Sequence, residues 1–265
     1  MSGNSSLELV NERGWSRGLN NMLRSGLARW FRTRMWWIQC LIWGSLLGFM
    51  LSALLFGKEK APLDVALTVF AVFAGLFPAV GVVIIMQDAL VGEKREGTAA
   101  WVLSKPVTRP AFILSKVIAN IVGVLVTMIV VPCGISYTLL AVAERSVLNS
   151  LGFLGAMGVI FISDFFFLTL TLMLGTFFAN RGPVIGISLG LLFLQQNLLG
   201  FMPSLRFILP WNLVLPLADS PDSLAFSLLM GTPVQSDYLI MATIVLAESI
   251  LFVLIALWRF NREEL

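Results

Sequence analysis

The sequence predicts an all-α membrane protein with six transmembrane helices. Hydrophobic residues make up 58% of the chain and charged residues 12%, and the mean hydropathy is +0.90. A soluble domain has about 45–50% apolar and about 25% charged residues, so lipid is the expected solvent for most of this chain. Six apolar stretches are each long enough to cross a hydrocarbon core of about 30 Å.

The residue inventory removes several function classes. The chain has no histidine, which excludes Ser-His and Cys-His nucleophile pairs and His-ligated zinc. Cys40 and Cys133 lie inside apolar stretches and show no metal-ligand spacing. No G-x-x-x-x-G-K-[ST] loop is present, so the chain is not itself a P-loop ATPase, and we expect no cofactor or metal in it. Its basic residues lie beside apolar stretches, which is typical of membrane topology rather than nucleic-acid binding.

An N-terminal segment, residues 1–35, precedes the first apolar stretch, and its first 18 residues are expected to be loosely structured. From Leu19 onward, apolar residues recur at helical spacing on one narrow face, while Arg24, Arg29 and Arg32 lie on the other side. This pattern predicts an amphipathic helix in the membrane interface, with its arginines toward lipid phosphates. The alternative is a plain extension of the first span. No short apolar region with a cleavage site is present, so we expect no removable signal peptide.

A single transmembrane domain is predicted over residues 1–265, with the six-span bundle at 36–258 and a short tail at 259–265. Trp36 and Trp37 are placed to anchor the first span at the membrane interface. The predicted spans are 36–56, 65–86, 112–142, 151–178, 184–202 and 238–258.

Prolines modify this pattern in three places. Pro78 with Gly75 permits a kink in the second span, and Pro132 with Gly134 permits a bend in the third. The segment 203–237 is too interrupted to span a membrane and too apolar to be a free loop, which predicts short re-entrant or interfacial helices. Its five prolines are Pro203, Pro210, Pro216, Pro221 and Pro233.

The basic residues predict the orientation of the spans. Fourteen of the 18 Lys and Arg residues lie on one side: six before the first span, five from Lys94 to Lys116, one at Arg181 and two in the tail. The other four lie on the opposite side. The positive-inside rule therefore places both termini and the segment between the second and third spans in the cytoplasm.

The stretch 87–120 is the one long polar interruption of the apolar sequence. A charged cluster at 93–96 precedes a short apolar piece at 99–103, and the following residues, 104–110, contain two prolines that stop a helix. This pattern predicts two short helices and a hinged turn at the membrane surface, where a soluble partner can dock. A short helix near 88–103 is the element expected to meet that partner.

The same stretch resembles the cytoplasmic loop of ABC-2 type transporter permeases. The shared order is an acidic-basic-acidic cluster, Gly-Thr, an apolar patch, Ser-x-Pro-Val-x-Arg and Ile-Leu-x-Lys. The residues that carry it are Glu93, Arg95, Glu96, Gly97, Thr98, Leu103, Ser104, Pro106, Val107, Arg109, Ile113, Leu114 and Lys116. The six-span layout extends the resemblance over nearly all of the chain.

The resemblance implies the permease subunit of a bacterial ABC exporter, with an elbow-like N-terminal helix and a coupling helix between spans two and three. It also implies two separate ATPase subunits, which bind ATP and Mg²⁺ and make this chain no enzyme by itself. A second copy of this permease, or a related one, is implied, with spans two and five beside the dimer axis. The implied location is the plasma membrane of a bacterium or archaeon.

Such a transporter needs a stiff element that passes closure of the ATPases to the spans. The charges at 93–96 are expected to contact the rim of the partner, while Trp101, Val102 and Leu103 insert into its groove. The residues predicted to couple to the ATPase are Glu93, Arg95, Glu96, Gly97, Thr98, Trp101, Leu103, Pro106 and Arg109. The alternative is a solvated connector whose charges only set topology.

Five polar residues inside the spans form a possible transport path. Asp164 and Glu248 lie near the middle of their spans, where ionisable groups are costly and usually functional. They predict either a proton or cationic-substrate site or neutral carboxyls hydrogen-bonded between helices. The adjacent amides of Gln195, Gln196 and Asn197 predict either a wet path between subunits or hydrogen bonds to neighbouring helices.

Two other function classes stay open at this point. An intramembrane hydrolase or lipid-modifying enzyme needs a nucleophile-base pair or paired acids, and Asp164 and Glu248 are the candidates. A non-transporting assembly or anchoring protein has no need of an ordered loop at 88–110. An apolar path favours lipids or hydrophobic peptides as substrates, whereas acids in the membrane favour cations.

Overall fold

A computed structural model describes residues 14–145, 148–216 and 223–263, and within these ranges the chain is helical and has no β-strand. The helices are α1 (Leu19–Phe31), α2 (Met35–Phe56), α3 (Leu63–Arg95), α4 (Thr98–Leu103), α5 (Arg109–Glu144), α6 (Ser150–Phe177), α7 (Arg181–Phe201), α8 (Trp211–Val214), α9 (Leu224–Met230) and α10 (Ser236–Asn261). Six of them, α2, α3, α5, α6, α7 and α10, are long and apolar enough to cross a membrane, which confirms the predicted fold class and spans. The expectations for residues 1–13, for Pro221 and for the last two tail positions lie outside the described ranges.

Helix α6 is the centre of the bundle. It is the most buried of the six spans, and it contacts α3, α5, α7, α8, α9 and α10. Its Phe166 meets Phe252 of α10 edge-on, with ring centroids 5.4 Å apart, and its Thr171 donates a hydrogen bond to Ser188 of α7 over 3.1 Å. Helices α2, α7 and α10 lie at the periphery, where their apolar side chains remain exposed to the surroundings.

Helix α1 packs against α5 and is separated from α2 by a break, so it is not an extension of the first span. Trp30 of α1 is buried, and its indole Nε1 donates a hydrogen bond to Asn120 Oδ1 over 3.1 Å. The two helices can approach closely because Gly26 has no side chain. A Cβ at this position would lie only 2.7 Å from the Cβ of Ala119. Arg24 remains exposed on the side of α1 that faces away from α5.

Polar contacts show which helix ends share one face of the bundle. Lys94, at the end of α3, donates to the Gly175 carbonyl at the end of α6 over 3.2 Å. Arg109, at the start of α5, donates to the Asn261 carbonyl at the end of α10 over 2.7 Å. Arg29 of α1 reaches the same end of α3, so we name this side the α1 face. Helices α6 and α10 therefore run parallel, and both end at the α1 face.

Helix α3 is longer than the second span that the sequence predicts (65–86). It continues through a π-helical turn, Asp88–Gly92, to Arg95, so the predicted short helix over 88–103 is wrong in extent. Only α4 forms a separate short helix, after the chain reverses at Gly97. At about 1.5 Å per residue, the 33 residues of α3 span about 50 Å, beyond a hydrocarbon core of about 30 Å. Helix α3 is therefore long enough for its polar end to extend past the hydrocarbon core at the α1 face.

Helix α5 accommodates Pro132 with a second π-helical turn, Leu125–Val130. A proline cannot donate a backbone hydrogen bond, and its ring crowds the carbonyl four residues earlier. A π-helical turn widens the helix just before the proline and relieves this conflict. The irregularity falls where the sequence permits a bend in the third span.

Two short helices in the described parts of the segment between α7 and α10 pack against the bundle. A 3₁₀ turn, Pro203–Phe207, leads into α8 and α9, whose apolar side chains join the main core. Val214 of α8 comes so close to α3 that a Cβ at Gly75 would lie 1.9 Å from its Cγ1. A Cβ at Gly152 of α6 would likewise lie 2.0 Å from the carbonyl oxygen of Leu228 in α9. Helices α8 and α9 are thereby packed closely against α3 and α6.

The variant Gly123→Ala is expected to lower the Tm, because a Cβ there would lie 2.2 Å from the Trp30 ring that packs α1 onto α5. Relief of this overlap moves a buried indole, and overpacking of this kind costs about 1–3 kcal/mol. Thermal unfolding in detergent measures the change. The control, Gly134→Ala in the same helix, meets no atom within 4 Å and should keep or raise the original Tm, because alanine favours a helix more than glycine does. Equal Tm values for Gly123→Ala and Gly134→Ala would contradict the packing of α1 against α5.

Candidate functional site

Acidic residues near the end of α3 pair with cations of three other helices. Asp88 accepts a hydrogen bond from Arg181 of α7 over 2.7 Å and lies 3.6 Å from Arg29 of α1. Glu93 accepts from Lys116 of α5, and the side chains of this pair are each 16% exposed. Arg29 also lies 3.9 Å from Glu93, so this carboxylate has a cation on α1 as well as on α5. These partners keep the polar end of α3 helical, and they are distant in sequence, so the local pattern did not reveal them.

Gly92 makes room for the contact between α3 and α7. A Cβ at this position would lie 2.7 Å from Asp88 Oδ1 and 3.2 Å from Arg181 Nη2. Any larger residue would displace one of the two charged groups. The last residue of the π-helical turn is therefore tied to the ion pair that holds α3 and α7 together at the α1 face.

Helix α4 turns one side to the bundle and the other to solvent. It begins after Gly97, whose φ of +70° lies in the left-handed region that favours glycine. Ala99 is fully buried, and Leu103 packs against the core that α3 and α5 share. Trp101 points away from the bundle and is 61% exposed, with Lys105 Nζ 3.4 Å from its ring centroid. Helix α4 therefore presents a tryptophan and a lysine on its outer side.

The turn 104–108 is fixed by the residues before α1. The backbone N–H of Thr108 donates to the Arg17 carbonyl over 3.1 Å, and its hydroxyl donates to the Trp15 carbonyl. The same hydroxyl accepts from the N–H of Ala111 over 3.3 Å and so caps α5. The N-terminal segment thus holds the connection between α4 and α5 in place.

A groove of about 490 Å³ opens between α1 and α4, and we name it the α1–α4 groove. Asn21 and Ser25 lie on its α1 side, Trp101 lies on its α4 side, and the Glu93–Lys116 ion pair also lines it. Tryptophan, which lines the α4 side of the groove, is a residue type enriched in protein interfaces.

The residues predicted to couple to an ATPase all lie at the α1 face, but in different surroundings. Those exposed to solvent are Arg95, Glu96, Gly97, Trp101 and Pro106. Those that are half-buried, and line the groove or contact other helices, are Glu93, Thr98, Leu103 and Arg109. The first group is available to a partner, whereas the second joins α4 to the bundle.

The three consecutive amides of α7 have different surroundings. Gln195 is buried, its Oε1 accepts from the Trp211 N–H over 3.1 Å, and its Nε2 donates to the Leu192 carbonyl over 3.2 Å. Gln196 and Asn197 are exposed on a side of α7 that is otherwise apolar. Gln195 therefore anchors α8 to α7, while its two neighbours are accessible from outside the chain.

Asp164 and Glu248 lie at similar depth on parallel neighbouring helices. The contact between Phe166 and Phe252 sets the register of α6 and α10, which places the two acids within about one helical turn along the axis. Asp164 is fully buried, and neither of its carboxyl oxygens has a hydrogen-bond partner among the described residues. Glu248 is half-buried, and its Oε2 also lacks a partner in the described part of the chain. No group of His, Cys, Asp or Glu side chains within the described ranges is arranged to hold a metal ion.

Comparison with known proteins assigns this architecture to a family. A family model described as "ABC-2 family transporter protein" matches residues 50–265, which is most of the chain. The chain belongs to the ABC-2 transporter family. The match confirms the resemblance that the 87–120 stretch and the six-span layout indicated. A search of curated proteins finds no significant match.

Membership of the ABC-2 family gives the chain a general role. It is a multi-pass membrane protein and the permease component of an ABC transporter. Such a permease is not itself catalytic, and it usually works with an ABC ATPase that is a separate subunit.

The α1–α4 groove of this ABC-2 permease includes residues that the sequence alone did not single out. Asn21 and Ser25 are one helical turn apart on α1, so a polar stripe at that spacing was the available signal. Glu263, which lies 2.5 Å from Lys94, had no such signal, because the two residues are far apart in sequence.

In this ABC-2 permease, Gln195→Leu is expected to lower the free energy of unfolding by about 1–3 kcal/mol, because the Trp211 N–H then loses its acceptor in a partly buried site. The control is Gln196→Leu, one residue along, which removes an exposed amide and should leave the Tm nearly unchanged. Thermal unfolding in detergent compares the two variants. A larger loss in Gln196→Leu would contradict the anchoring role of Gln195.

Proposed function

We propose that the chain is the permease subunit of an ABC exporter and that the α1–α4 groove, with Trp101, receives the ATPase subunit. The observation that carries this proposal is the exposure of Trp101 on a short helix beside the groove, at the end of a span that projects past the membrane. Tryptophan is among the side chains that contribute most to protein interfaces. A tryptophan this exposed outside the hydrocarbon region is best explained by a protein partner.

The α1 face is cytoplasmic in this proposal. The excess of Lys and Arg at this face supports that orientation, because basic residues are retained on the inner side of a membrane. A groove on the cytoplasmic side faces the compartment that supplies ATP. In a bacterium or archaeon this places the permease in the plasma membrane with both ends inside.

Displacement of α4 by the ATPase reaches the spans through the contacts around it. The capped turn at Thr108 joins α4 to α5, and the Glu93–Lys116 pair joins α3 to α5. The Asp88–Arg181 pair extends the connection to α7. Closure of the ATPases, which bind ATP and Mg²⁺, can therefore bias the arrangement of several spans at once.

A complete transporter requires a second permease and a pair of ATPases in this proposal. Helix α7 supports this assembly, because it exposes Phe193, Leu194, Gln196 and Asn197 on a side that the single chain leaves open to its surroundings. A second copy of this chain, or a related permease, fits that side. The remaining apolar surface of the spans contacts membrane lipid.

We propose that Gln196, Asn197 and Glu248 supply polar groups to the transport path. The amides are exposed on α7, and Glu248 has a carboxyl oxygen without a partner within the described ranges. Asp164 and Gln195 are buried inside one chain, so they support the path by helix packing. An apolar path with one accessible acid favours amphiphilic substrates that carry a positive charge.

Trp101→Ala is expected to abolish co-purification of the ATPase, because the truncation removes the exposed anchor of α4 while α4 keeps its buried side. The control is Trp37→Ala, which truncates another exposed tryptophan, on α2 and away from the groove. The tagged permease is extracted from its native membranes in mild detergent, and both the bound ATPase and ATP hydrolysis are measured.

Retention of the ATPase by Trp101→Ala at the level of Trp37→Ala would contradict the proposed docking site. Absence of any nucleotide-binding partner from the unaltered permease, across several detergents, would contradict the proposed function. That second outcome would favour chemistry at Asp164 and Glu248 instead.

Glu248→Gln is expected to raise the concentration of cationic amphiphile that half-maximally stimulates ATP hydrolysis by about tenfold, or about 1.4 kcal/mol. The matched control, Asp164→Asn, changes a buried acid at the same depth and should leave this concentration unchanged. ATP hydrolysis by the complete transporter in lipid nanodiscs, with cationic and neutral amphiphiles, checks both. A higher half-maximal concentration in Asp164→Asn than in Glu248→Gln would place Asp164, and not Glu248, in the path.

A further inference from the structure

Two cations that flank α4 hold the last turn of α10. Lys94 lies just before α4 in the chain, and its Nζ is 2.5 Å from Glu263 Oε1. Arg109 lies just after α4, and its Nη1 donates to the carbonyls of Phe260 at 3.3 Å and Asn261 at 2.7 Å. The two ends of the α4 segment are therefore both bonded to the end of the sixth span. We name these contacts the α10 clasp.

The ionic half of the α10 clasp is shielded from water. The Lys94 side chain is 9% exposed and the Glu263 side chain 16% exposed. Glu263 Oε2 is buried and makes no hydrogen bond within the described part of the chain, so Lys94 is its charged partner there. A shielded pair of this kind tolerates loss of one member poorly, because the other charge is left unpaired.

The Arg109 half of the clasp acts on the helix terminus. The last carbonyls of a helix have no partners within the helix, and a cation at this end also meets the negative end of the helix dipole. Phe112, one turn into α5, stacks on Phe260 with ring centroids 5.4 Å apart and an interplanar angle of 4°. Phe260 is fully buried in this contact, so α10 is fixed to α5 in position and direction.

The clasp also includes α6. Lys94 Nζ donates to the Gly175 carbonyl in the last turn of α6 over 3.2 Å, in addition to its contact with Glu263. Because α6 and α10 run parallel and pack along their length, one lysine holds the same end of both helices. These are the two helices that carry Asp164 and Glu248.

We propose that Lys94, Glu263 and Arg109 are positioning residues that transmit displacement of α4 to α10, and this inference rests on the proposed function of the α1–α4 groove. Two neighbouring charges within the described ranges do not make these contacts. Arg95 is exposed beside Lys94, and Arg262 lies over the ring of Trp258 in its own helix. The clasp is the structural connection that lets nucleotide binding by the ATPase reach the sixth span.

The test is hydrogen exchange in the complete permease–ATPase complex, with and without Mg²⁺-ATP and vanadate, followed in α4 and in the last turns of α10. In the unaltered complex, exchange in both segments is expected to depend on nucleotide. In Lys94→Gln and in Glu263→Gln, the change in α4 exchange on nucleotide binding should persist. The change in α10 exchange on nucleotide binding should fall about fivefold or more, the size of a typical coupling between sites. The control Arg262→Gln, which changes a charge held by Trp258 of its own helix, should keep the nucleotide dependence of exchange in both segments.

The charge exchange Lys94→Glu with Glu263→Lys separates coupling from simple loosening. If the pair transmits displacement, the exchanged pair should restore the nucleotide dependence of α10 at least in part. A loosened helix end alone would raise exchange equally in both nucleotide states and leave their difference unchanged, and that result in the single variants would overturn the inference. Hydrogen exchange in α10 that does not depend on nucleotide in the unaltered complex would overturn the inference as well. Hydrogen exchange in α4 that does not depend on nucleotide would instead overturn the proposed function on which the inference depends.

Discussion

Lipid offers no hydrogen-bond partner to a polypeptide backbone, and this constraint underlies every main feature of the permease. It explains why the spans are helices and why the proline in α5 is preceded by a π-helical turn rather than a break. The short helices α8 and α9 pack against α3 and α6, where Gly75 and Gly152 leave room for them. Charged residues are consequently gathered at the ends of the helices, where they can form the contacts that organise the α1 face.

The α1 face works as one connected unit because its ion pairs join helices that are distant in sequence. Asp88 and Glu93 connect α3 to α1, α5 and α7, and Lys94 connects it to α6 and α10. These contacts leave α4 attached to the bundle by its buried side and free on its outer side. In the proposed function, a partner that binds Trp101 acts on an element that these contacts join to the rest of the bundle.

The polar residues inside the spans show how neighbours decide the role of a side chain. Gln195 and Gln196 are chemically identical and adjacent, yet the first anchors α8 and the second is exposed on the periphery. Asp164 and Glu248 share a depth and a carboxyl group, yet only Glu248 is partly accessible. The possible transport path is therefore divided between residues that build the fold and residues that face outward.

The sequence by itself determined the membrane class, the six spans and the presence of short helices after α7, because hydrophobic length and helix-breaking residues act locally. It also pointed to the family through the pattern around Gly97 and Pro106. Only the tertiary structure decided that α3 continues to Arg95, that Gln195 is buried and that Lys94 meets Glu263. These outcomes depend on contacts between residues far apart in sequence, and local periodicity holds no information about which distant charges will pair.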